Sequence, residues 1–236
     1  MNTAIITGSE GQLGQLFVLQ LKRLGFKVIG IDLADQVNSE ITYYQADITK
    51  KAEIDAVLNH HDENISVLIN NAGISVFKSF EERTEDEIDA VMDVNIKANI
   101  LMSQAVFNKY YKSNNSGNII NIGSIYGVVS GDMRIYKNGD RRTPEIYGAT
   151  KAAVINLTKY FATYMAPNNV RVNCISPGGI FNEQDKDFIE NYSKKVPMSR
   201  MGSEDELMST IEYLLSEKSS YVTGQNIVVD GGFTCW

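Results

Sequence analysis

The stretch Thr7-Gly8-Ser9-Glu10-Gly11-Gln12-Leu13-Gly14 decides the expected fold of this chain. It follows a short apolar run, Thr3–Thr7, and apolar side chains then recur at the spacing of a helix. Glycines at such a turn allow a tight backbone and let a ligand approach it closely. The following helix presents unpaired N–H groups and the positive end of its dipole. The stretch therefore predicts a strand–turn–helix unit whose turn binds a diphosphate, although the glycine spacing alone also suits an ordinary strand-to-helix turn.

An acidic residue stands where the second strand is expected to end. Lys27–Asp32 reads as that strand, and Asp32 is its last residue. A carboxylate there can accept hydrogen bonds from the ribose hydroxyls of an adenosine, and it would repel a phosphate on the same ribose. Leu33-Ala34-Asp35 supplies no Arg or Lys to hold that phosphate. The pattern favours NAD over NADP, although the residues alone leave open that Asp32 is a solvated strand end.

The remainder of the chain alternates between short apolar runs and helical stretches. The strand candidates are Thr3–Thr7, Lys27–Asp32, Ile41–Ala46, Val67–Asn70, Asn118–Ile122, Val170–Ile175 and Ile227–Val229. Thr84 and Ser203 each open a helix-capping box, whereas the segment between Asp32 and Ile41 is too short for an ordinary helix. This order predicts a Rossmann-type, doubly wound parallel sheet of about seven strands with helices on both faces. We expect one α/β domain over residues 1–236.

The composition excludes several classes of protein. The chain has 236 residues, a formal net charge of -7 and a sequence pI of about 5.0. Nucleic acid and anionic membranes call for clustered Lys and Arg, which an acidic chain does not favour. No apolar run approaches the roughly 20 residues that span a bilayer, and the N-terminus lacks the pattern of a signal peptide. We therefore expect a cytoplasmic protein with a small-molecule substrate and no nucleic-acid or membrane partner.

The cysteines and histidines are sparse. Cys174 and Cys235 form no disulfide framework, and no spacing suits a metal site, so none is expected. Cys174 lies in an apolar run and is expected to be buried. His60 and His61 stand at a polar helix end and are expected to be solvated.

A phenol and an ammonium recur four residues apart in Tyr147-Gly148-Ala149-Thr150-Lys151. On a helix, this spacing puts both side chains on one face. A nearby cation favours phenolate over phenol, as a general acid/base for alcohol–ketone chemistry requires. Such a pair is common in sequences, however, and by itself indicates little.

Further motifs accompany this pair, and with them the whole chain resembles the short-chain dehydrogenase/reductase family. They stand in the family's order along the chain: the glycine-rich turn, Asn70-Asn71-Ala72-Gly73, Asn95 in Asp93-Val94-Asn95, Ser124 after Asn121-Ile122-Gly123, Tyr147 with Lys151, Asn173-Cys174-Ile175-Ser176-Pro177-Gly178, and Ser220–Gln225 with Asp230-Gly231-Gly232.

The resemblance implies a role for each matching residue. Tyr147 is the general acid/base, Lys151 assists it and contacts the nicotinamide ribose, and Ser124 hydrogen-bonds the substrate oxygen. Asn95 holds a water in a proton relay, and Asp47 reads the adenine amino group. The cofactor-binding residues implied are Gly8, Glu10, Gly11, Gln12, Leu13, Gly14, Asp32, Asp47, Ile48, Asn71, Ala72, Gly73, Tyr147, Lys151, Pro177, Gly178 and Ile180.

Three features depart from the compact, single-domain branch of that family. Gln12 stands where the compact branch usually has its middle glycine, and the resulting spacing resembles the larger branch that works on nucleotide sugars. The chain nevertheless ends too soon after Lys151 for the larger branch's substrate domain. Asn182 replaces a threonine that is frequent near the diphosphate.

The third departure is a long segment between Ser124 and Tyr147. It carries four basic residues: Arg134, Lys137, Arg141 and Arg142. They predict either a basic lip for an anionic or sugar-like substrate or a solvated loop. We expect substrate loops at about 130–146 and 181–201.

These observations predict an NAD-dependent oxidoreductase that transfers a hydride between nicotinamide and a secondary alcohol or ketone. A sugar or an anionic compound is the candidate substrate. The alternatives are a nucleotide-sugar epimerase or dehydratase with bound NAD, a 3-oxoacyl-thioester reductase, and a sensor that binds NAD without chemistry. The resemblance further implies a homotetramer or homodimer.

Overall fold

Seven parallel strands form one sheet in the part of the chain that the structure describes, residues 2–37, 40–136 and 142–236 of a computed structural model. Their order across the sheet is β3-β2-β1-β4-β5-β6-β7. Their bounds are β1 Thr3–Thr7, β2 Lys27–Asp32, β3 Thr42–Gln45, β4 Ile65–Asn70, β5 Gly117–Ile122, β6 Val170–Pro177 and β7 Asn226–Val229. The predicted fold class is confirmed, and each predicted strand is present with small shifts at its ends.

The strand order reverses beside β1, and that reversal places the ligand site. Chain order runs outwards from β1 through β2 to β3 on one side, and through β4 to β7 on the other. Loops that leave β1 and β4 in opposite directions open a crevice at the carboxyl ends of these strands. The glycine-rich turn follows β1 and the Asn-Asn-Ala-Gly segment follows β4, so both lie at this crevice.

The helices cover both faces of the sheet. Their bounds are α1 Gln12–Arg23, α2 Lys51–Asn59, α3 Glu85–Met92, α4 Ala98–Val106, α5 Lys112–Asn114, α6 Glu145–Met165, α7 Lys186–Lys195 and α8 Glu204–Leu215. One buried cluster joins the sheet to α2, α4 and α6, and the other joins it to α1 and α8. Because both faces are covered, every residue of β1 is buried.

Both predicted capping boxes are present. The Glu87 N–H donates to Thr84 Oγ1 at 3.3 Å, and the Thr84 N–H donates to Glu87 Oε2 at 2.9 Å. At α8, the Ser203 N–H donates to Glu206 Oε2 at 2.8 Å. These bonds pair N–H groups that otherwise lack partners at a helix start, and they fix where α3 and α8 begin.

One expectation about a surface residue is wrong. His61 is 4% exposed, not solvated. Its ring lies edge-on to Tyr44, and its Nδ1 is 3.1 Å from Glu63 Oε1. Packing of the α2–β4 connection against β3 therefore buries a residue whose neighbours along the chain are polar.

Other expectations hold. Cys174 is buried on β6, and burial raises the pKa of its thiol to about 11. No helix in residues 33–37 or 40–41 interrupts the path from β2 to β3. Among the described residues, no helix is both long enough and apolar enough to cross a bilayer.

Candidate active site

The glycine-rich turn brings the start of α1 against the end of β1. Gly8 has a φ of +66°, a conformation that favours glycine. A Cβ on Gly14 would lie 1.9 Å from the Gly8 carbonyl oxygen, so only glycine permits this close approach. Gly14 is therefore buried under the turn and, unlike the other predicted cofactor residues, does not line the cleft. This packing holds the N-terminus of α1 at the cleft, and the predicted cofactor contact of Gly14 stays a prediction.

Asp32 organises the turn from the tip of β2. Its Oδ2 accepts the Glu10 N–H at 2.9 Å, and its Oδ1 accepts the Leu33 and Ala34 N–H groups at 2.7 and 3.0 Å. The Glu10 carboxylate lies at the same end of the cleft, where its Oε2 accepts the Val37 N–H at 2.7 Å. This end therefore carries two neighbouring carboxylates.

The segment after β4 is tied to the glycine turn through Thr7. The hydroxyl of Thr7 accepts the Asn71 and Ala72 N–H groups, both at 3.2 Å. The Asn71 amide donates to the Gly8 carbonyl at 2.8 Å. These bonds hold the two walls of the crevice at a fixed separation. Thr7 was not among the predicted site residues, because a lone threonine at a strand end gives no signal in sequence.

Lys151 lies buried at the opposite end of the cleft. Its ammonium donates to the Ile122 carbonyl at 2.8 Å and lies 5.6 Å from the centre of the Tyr147 ring. A Cβ on Gly73 would come within 3.2 Å of this ammonium. The predicted placement of Tyr147 and Lys151 on one face of α6 is thus present, and the absent side chain at Gly73 leaves the ammonium accessible from the cleft.

Ser124 lies beside this pair at the end of β5. It is 7% exposed, and its Oγ accepts the Tyr126 N–H at 3.2 Å. That bond orients the hydroxyl and leaves its proton available for donation to an oxygen in the cleft. Tyr147 and Ser124 line the same space, so one substrate oxygen could contact both hydroxyls.

Asn95 lies behind this group, on a π-helical turn, Asp93–Lys97. Its Oδ1 accepts the Ile74 N–H at 2.8 Å, and its Nδ2 donates to Ile74 O and to Thr150 Oγ1, both at 3.0 Å. The side chain therefore holds the chain after Gly73 in place. The predicted water relay at Asn95 stays a prediction.

The remaining predicted cofactor residues line one cleft of about 590 Å³. Asp47 lies near Asp32, and the hydrogen bond from the Thr49 hydroxyl lowers the pKa of its carboxyl. Pro177, Gly178 and Ile180 border the end near Lys151. The cleft is lined by these predicted residues: Gly8, Glu10, Gly11, Gln12, Leu13, Asp32, Asp47, Ile48, Asn71, Ala72, Gly73, Tyr147, Lys151, Pro177, Gly178 and Ile180.

This cleft fits a dinucleotide. One end has carboxylates that suit ribose hydroxyls, and the middle has a glycine turn at a helix start that suits a diphosphate. The other end has the ammonium of Lys151, which the lack of a side chain at Gly73 leaves open to the cleft. A side chain at Gly8 or Gly14 would collide with the backbone of Ala72 or of Gly8, so the shape of this turn requires both glycines.

A second cleft of about 580 Å³ meets the first at Tyr147 and Ser124. Its described wall includes several aromatic side chains, two carboxylates, Asp185 and Asp187, and the hydroxyl groups of serine and threonine residues. The residues that carry this character are Phe77, Tyr126, Tyr136, Thr143, Asp185, Phe188 and Tyr192. The described parts of both expected substrate loops contribute to this wall.

The structure describes only part of the basic segment between Ser124 and Tyr147. Lys137 and Arg141 lie outside the described residues. Arg134 bonds Asp132 through its Nε at 2.9 Å and a terminal nitrogen at 2.7 Å, so its charge is already paired. Arg142 is exposed. Among the described residues that line the second cleft there is no Arg or Lys, and the basic lip stays a prediction.

Comparison with known proteins agrees with this arrangement. Residues 27–234 match the family described as enoyl-(acyl carrier protein) reductase. An NAD-dependent glycerol dehydrogenase of Listeria innocua is 30% identical, over 98% of this chain and 93% of that protein.

Solved structures agree as well. A short-chain dehydrogenase of Leptospira borgpetersenii with bound NAD+ is 44% identical, with a TM-score of 0.91 over 99% of this chain and 92% of that one. A gluconate 5-dehydrogenase of Burkholderia cenocepacia in complex with NADP and tartrate is 27% identical, with a TM-score of 0.85 over 100% and 96% of the two chains. Relatives with either nicotinamide cofactor thus share this fold.

Proposed function

This chain belongs to the short-chain dehydrogenase/reductase family and is an oxidoreductase of CH–OH groups, and we propose that it uses NAD with Tyr147 as its general acid/base. The observation that carries the proposal is the meeting of Tyr147, Ser124 and Lys151 where the two clefts join. A substrate in the second cleft would present its carbonyl or hydroxyl to both hydroxyl groups there.

Each residue has a distinct part in the proposed reaction. Bound nicotinamide would supply or accept the hydride. The Tyr147 hydroxyl gives a proton to the substrate oxygen during reduction and takes it back during oxidation. The Lys151 ammonium favours the phenolate that remains. The Ser124 hydroxyl donates to the same oxygen and stabilises the charge that develops on it.

The preference for NAD rests on the charge at the adenosine end. Glu10 and Asp32 both place carboxylates there. Burial and the negative charges of Asp32, Glu10 and Asp35 raise the pKa of Tyr43, which adjoins this end. A ribose 2′-phosphate would meet this charge without a basic partner among the described residues of the cleft end.

The second cleft favours a neutral polyhydroxylated substrate, such as a sugar or polyol. Aromatic rings pack against the C–H face of such a molecule, while the Thr143 hydroxyl and the Asp185 carboxylate can bind its hydroxyl groups. The basic residues predicted for an anionic substrate are absent from the described lining. The glycerol dehydrogenase among the relatives supports the same class, because glycerol is a neutral polyol.

The test is a screen of cofactor-linked turnover. Purified enzyme is mixed with NAD or NADP and with polyols, sugars or 3-hydroxyacyl thioesters, and absorbance of the reduced nicotinamide is followed. Turnover with NAD and a polyol or sugar is expected. Turnover that requires NADP would overturn the cofactor assignment, and turnover with thioesters alone would favour the 3-oxoacyl-thioester reductase.

The glycine spacing keeps the epimerase or dehydratase as a second candidate. Such enzymes retain NAD through the whole cycle, so the purified protein would carry bound NAD and convert a nucleotide sugar without net NADH. Sugar-dependent NADH accumulation would exclude this alternative.

We also propose a homotetramer. Tyr160 and Tyr164 stack on each other on α6, and each exposes 61% of its surface. An exposed aromatic pair of this kind suits contact with a second copy of the chain. Sedimentation at micromolar concentration is expected to give four subunits, and a monomer would contradict the proposal.

A further inference from the structure

Gln12 places a side chain where the compact branch usually has glycine, and that side chain bridges three elements. Its Oε1 accepts from Asn182 Nδ2 at 3.0 Å, in the loop after β6. Its Nε2 donates to Glu204 Oε1, also at 3.0 Å, in the first turn of α8. Both polar atoms of the amide are thus used, and the two bonds fix its orientation.

The loop that carries Asn182 is held independently of Gln12. The Phe181 N–H donates to the Gly202 carbonyl at 2.9 Å, and Ile180 forms a parallel bridge with Gly202. The Asn182 N–H itself donates to Gln184 Oε1 at 2.8 Å. These contacts therefore fix the position of Asn182, and loss of its bond to Gln12 would not release the loop.

The bridge joins the two rims of the cofactor cleft. Gln12 begins α1 beside the glycine-rich turn, and Asn182 follows the Pro177-Gly178 turn that borders the nicotinamide end. Gln12 also lines the second cleft. A dinucleotide that enters or leaves between these rims has to pass the amide pair.

We propose that Gln12 and Asn182 form a clasp across the cofactor cleft that slows exchange of the dinucleotide. The proposal rests on the cofactor site proposed above. Gln12 is in this respect a positioning residue, because it acts on the residence of the cofactor and not on the reacting atoms.

A clasp and an ordinary cofactor contact have different kinetic signatures. Because the amide pair spans the gap between the two rims, it has to open both for association and for release. Breaking it should raise both rates by similar factors and leave the dissociation constant nearly unchanged. Loss of an ordinary contact would raise the release rate alone and weaken binding in proportion.

Stopped-flow fluorescence of NADH measures both rates without any substrate. Gln12→Ala and Asn182→Ala are each expected to raise association and release about two- to tenfold, the factor for one neutral hydrogen bond. The double variant is expected to be no faster than Gln12→Ala, because that single change already removes the bond to Asn182. Gln104→Ala is the matched control, an exposed glutamine on α4 away from the cleft, and should leave both rates unchanged.

Each outcome decides something. Unchanged rates in both single variants, or additive effects in the double variant, would overturn the clasp while leaving the cofactor site intact. A rise in the release rate alone would make Gln12 an ordinary contact and would likewise overturn it. Failure of the wild-type protein to bind NADH would overturn the NAD site and the clasp together.

Discussion

The two ends of the cofactor cleft differ in charge and in how their polar groups are used. At the adenosine end, the oxygens of Asp32 already accept two N–H groups from their own loop and one from Glu10 in the glycine-rich turn, and the Glu10 carboxylate lies at the same end. At the nicotinamide end, one buried ammonium, Lys151, lies below the hydroxyls of Tyr147 and Ser124. In the proposed function, the first end selects the cofactor and the second moves a proton.

The largest effect is expected from loss of the proton donor. Tyr147→Phe should lower kcat by about 10²- to 10⁴-fold, the usual contribution of general acid–base catalysis. NADH affinity should be nearly unchanged, because the ring that lines the cleft remains. Steady-state kinetics and fluorescence titration check both parts. Substantial turnover in this variant would remove Tyr147 from the reaction.

Loss of the Lys151 ammonium should weaken cofactor binding and also reduce turnover. Lys151→Met keeps the length of the side chain but removes its bond to the Ile122 carbonyl and the cation beside Tyr147. NADH affinity should fall about ten- to hundredfold, as for a hydrogen bond to a charged group, and kcat should fall as well. Lys159→Met on the exposed side of α6 is the control. Unchanged NADH affinity would argue against a contact between Lys151 and the ribose.

The adenosine end can be tested by removing one charge. Asp32→Asn retains an acceptor for the loop N–H groups but loses the carboxylate. The kcat/KM for NAD should fall about tenfold or more, since a hydrogen bond to a charged group is weakened, while that for NADP should rise. Asp35→Asn, an exposed neighbour, should change this ratio less. An equal change in the ratio of kcat/KM for NAD to kcat/KM for NADP in both variants would mean that overall negative charge selects the cofactor, without a specific role for Asp32.

The sequence is informative where function depends on local spacing. Tyr147 and Lys151 share a helix face, and Gly8 and Gly14 permit one close approach; both relations follow from a few adjacent residues. The strands β1 and β2 are predicted to the residue, because fully buried runs end at glycine or aspartate. Local chemistry therefore predicted the fold, whereas the family resemblance supplied most of the residues that line the cleft.

Contacts between distant segments could not be predicted in this way. Gln12 and Asn182 are 170 positions apart, and Asp132 and Lys195 are 63 apart. Neither member of these pairs signals its partner in sequence, since each pairing depends on where two loops meet after folding. The burial of His61 against Tyr44 was missed for the same reason. Specificity and exchange at this site thus depend on features that only the folded chain displays.

Asp132 connects the segment before Tyr147 to α7, so it links both described walls of the second cleft. Its side chain is 9% exposed and is paired with Arg134 and with Lys195 near the end of α7. The hydrogen bonds from these two side chains hold the pKa of the Asp132 carboxyl well below its usual range. Tyr136 also packs on Phe188, with ring centres 5.5 Å apart.

The smallest effect is expected from Asp132→Asn, which should lower the free energy of unfolding at pH 7 by about 1–2 kcal/mol. The expected loss of stability is small because Arg134 is exposed, so that water weakens its pairing with Asp132. The KM for the substrate should rise, while NADH affinity stays constant. Because the folded-state pKa is depressed, the contribution is present above the unfolded value of about 3.9 and lost as pH falls below it. The stability difference between wild type and variant should therefore narrow in acid. Asp93→Asn, which removes the exposed pair with Lys97, is the control and should change stability little. A stability difference that persists in acid would mean that the Asp132 charge does not join the two loops.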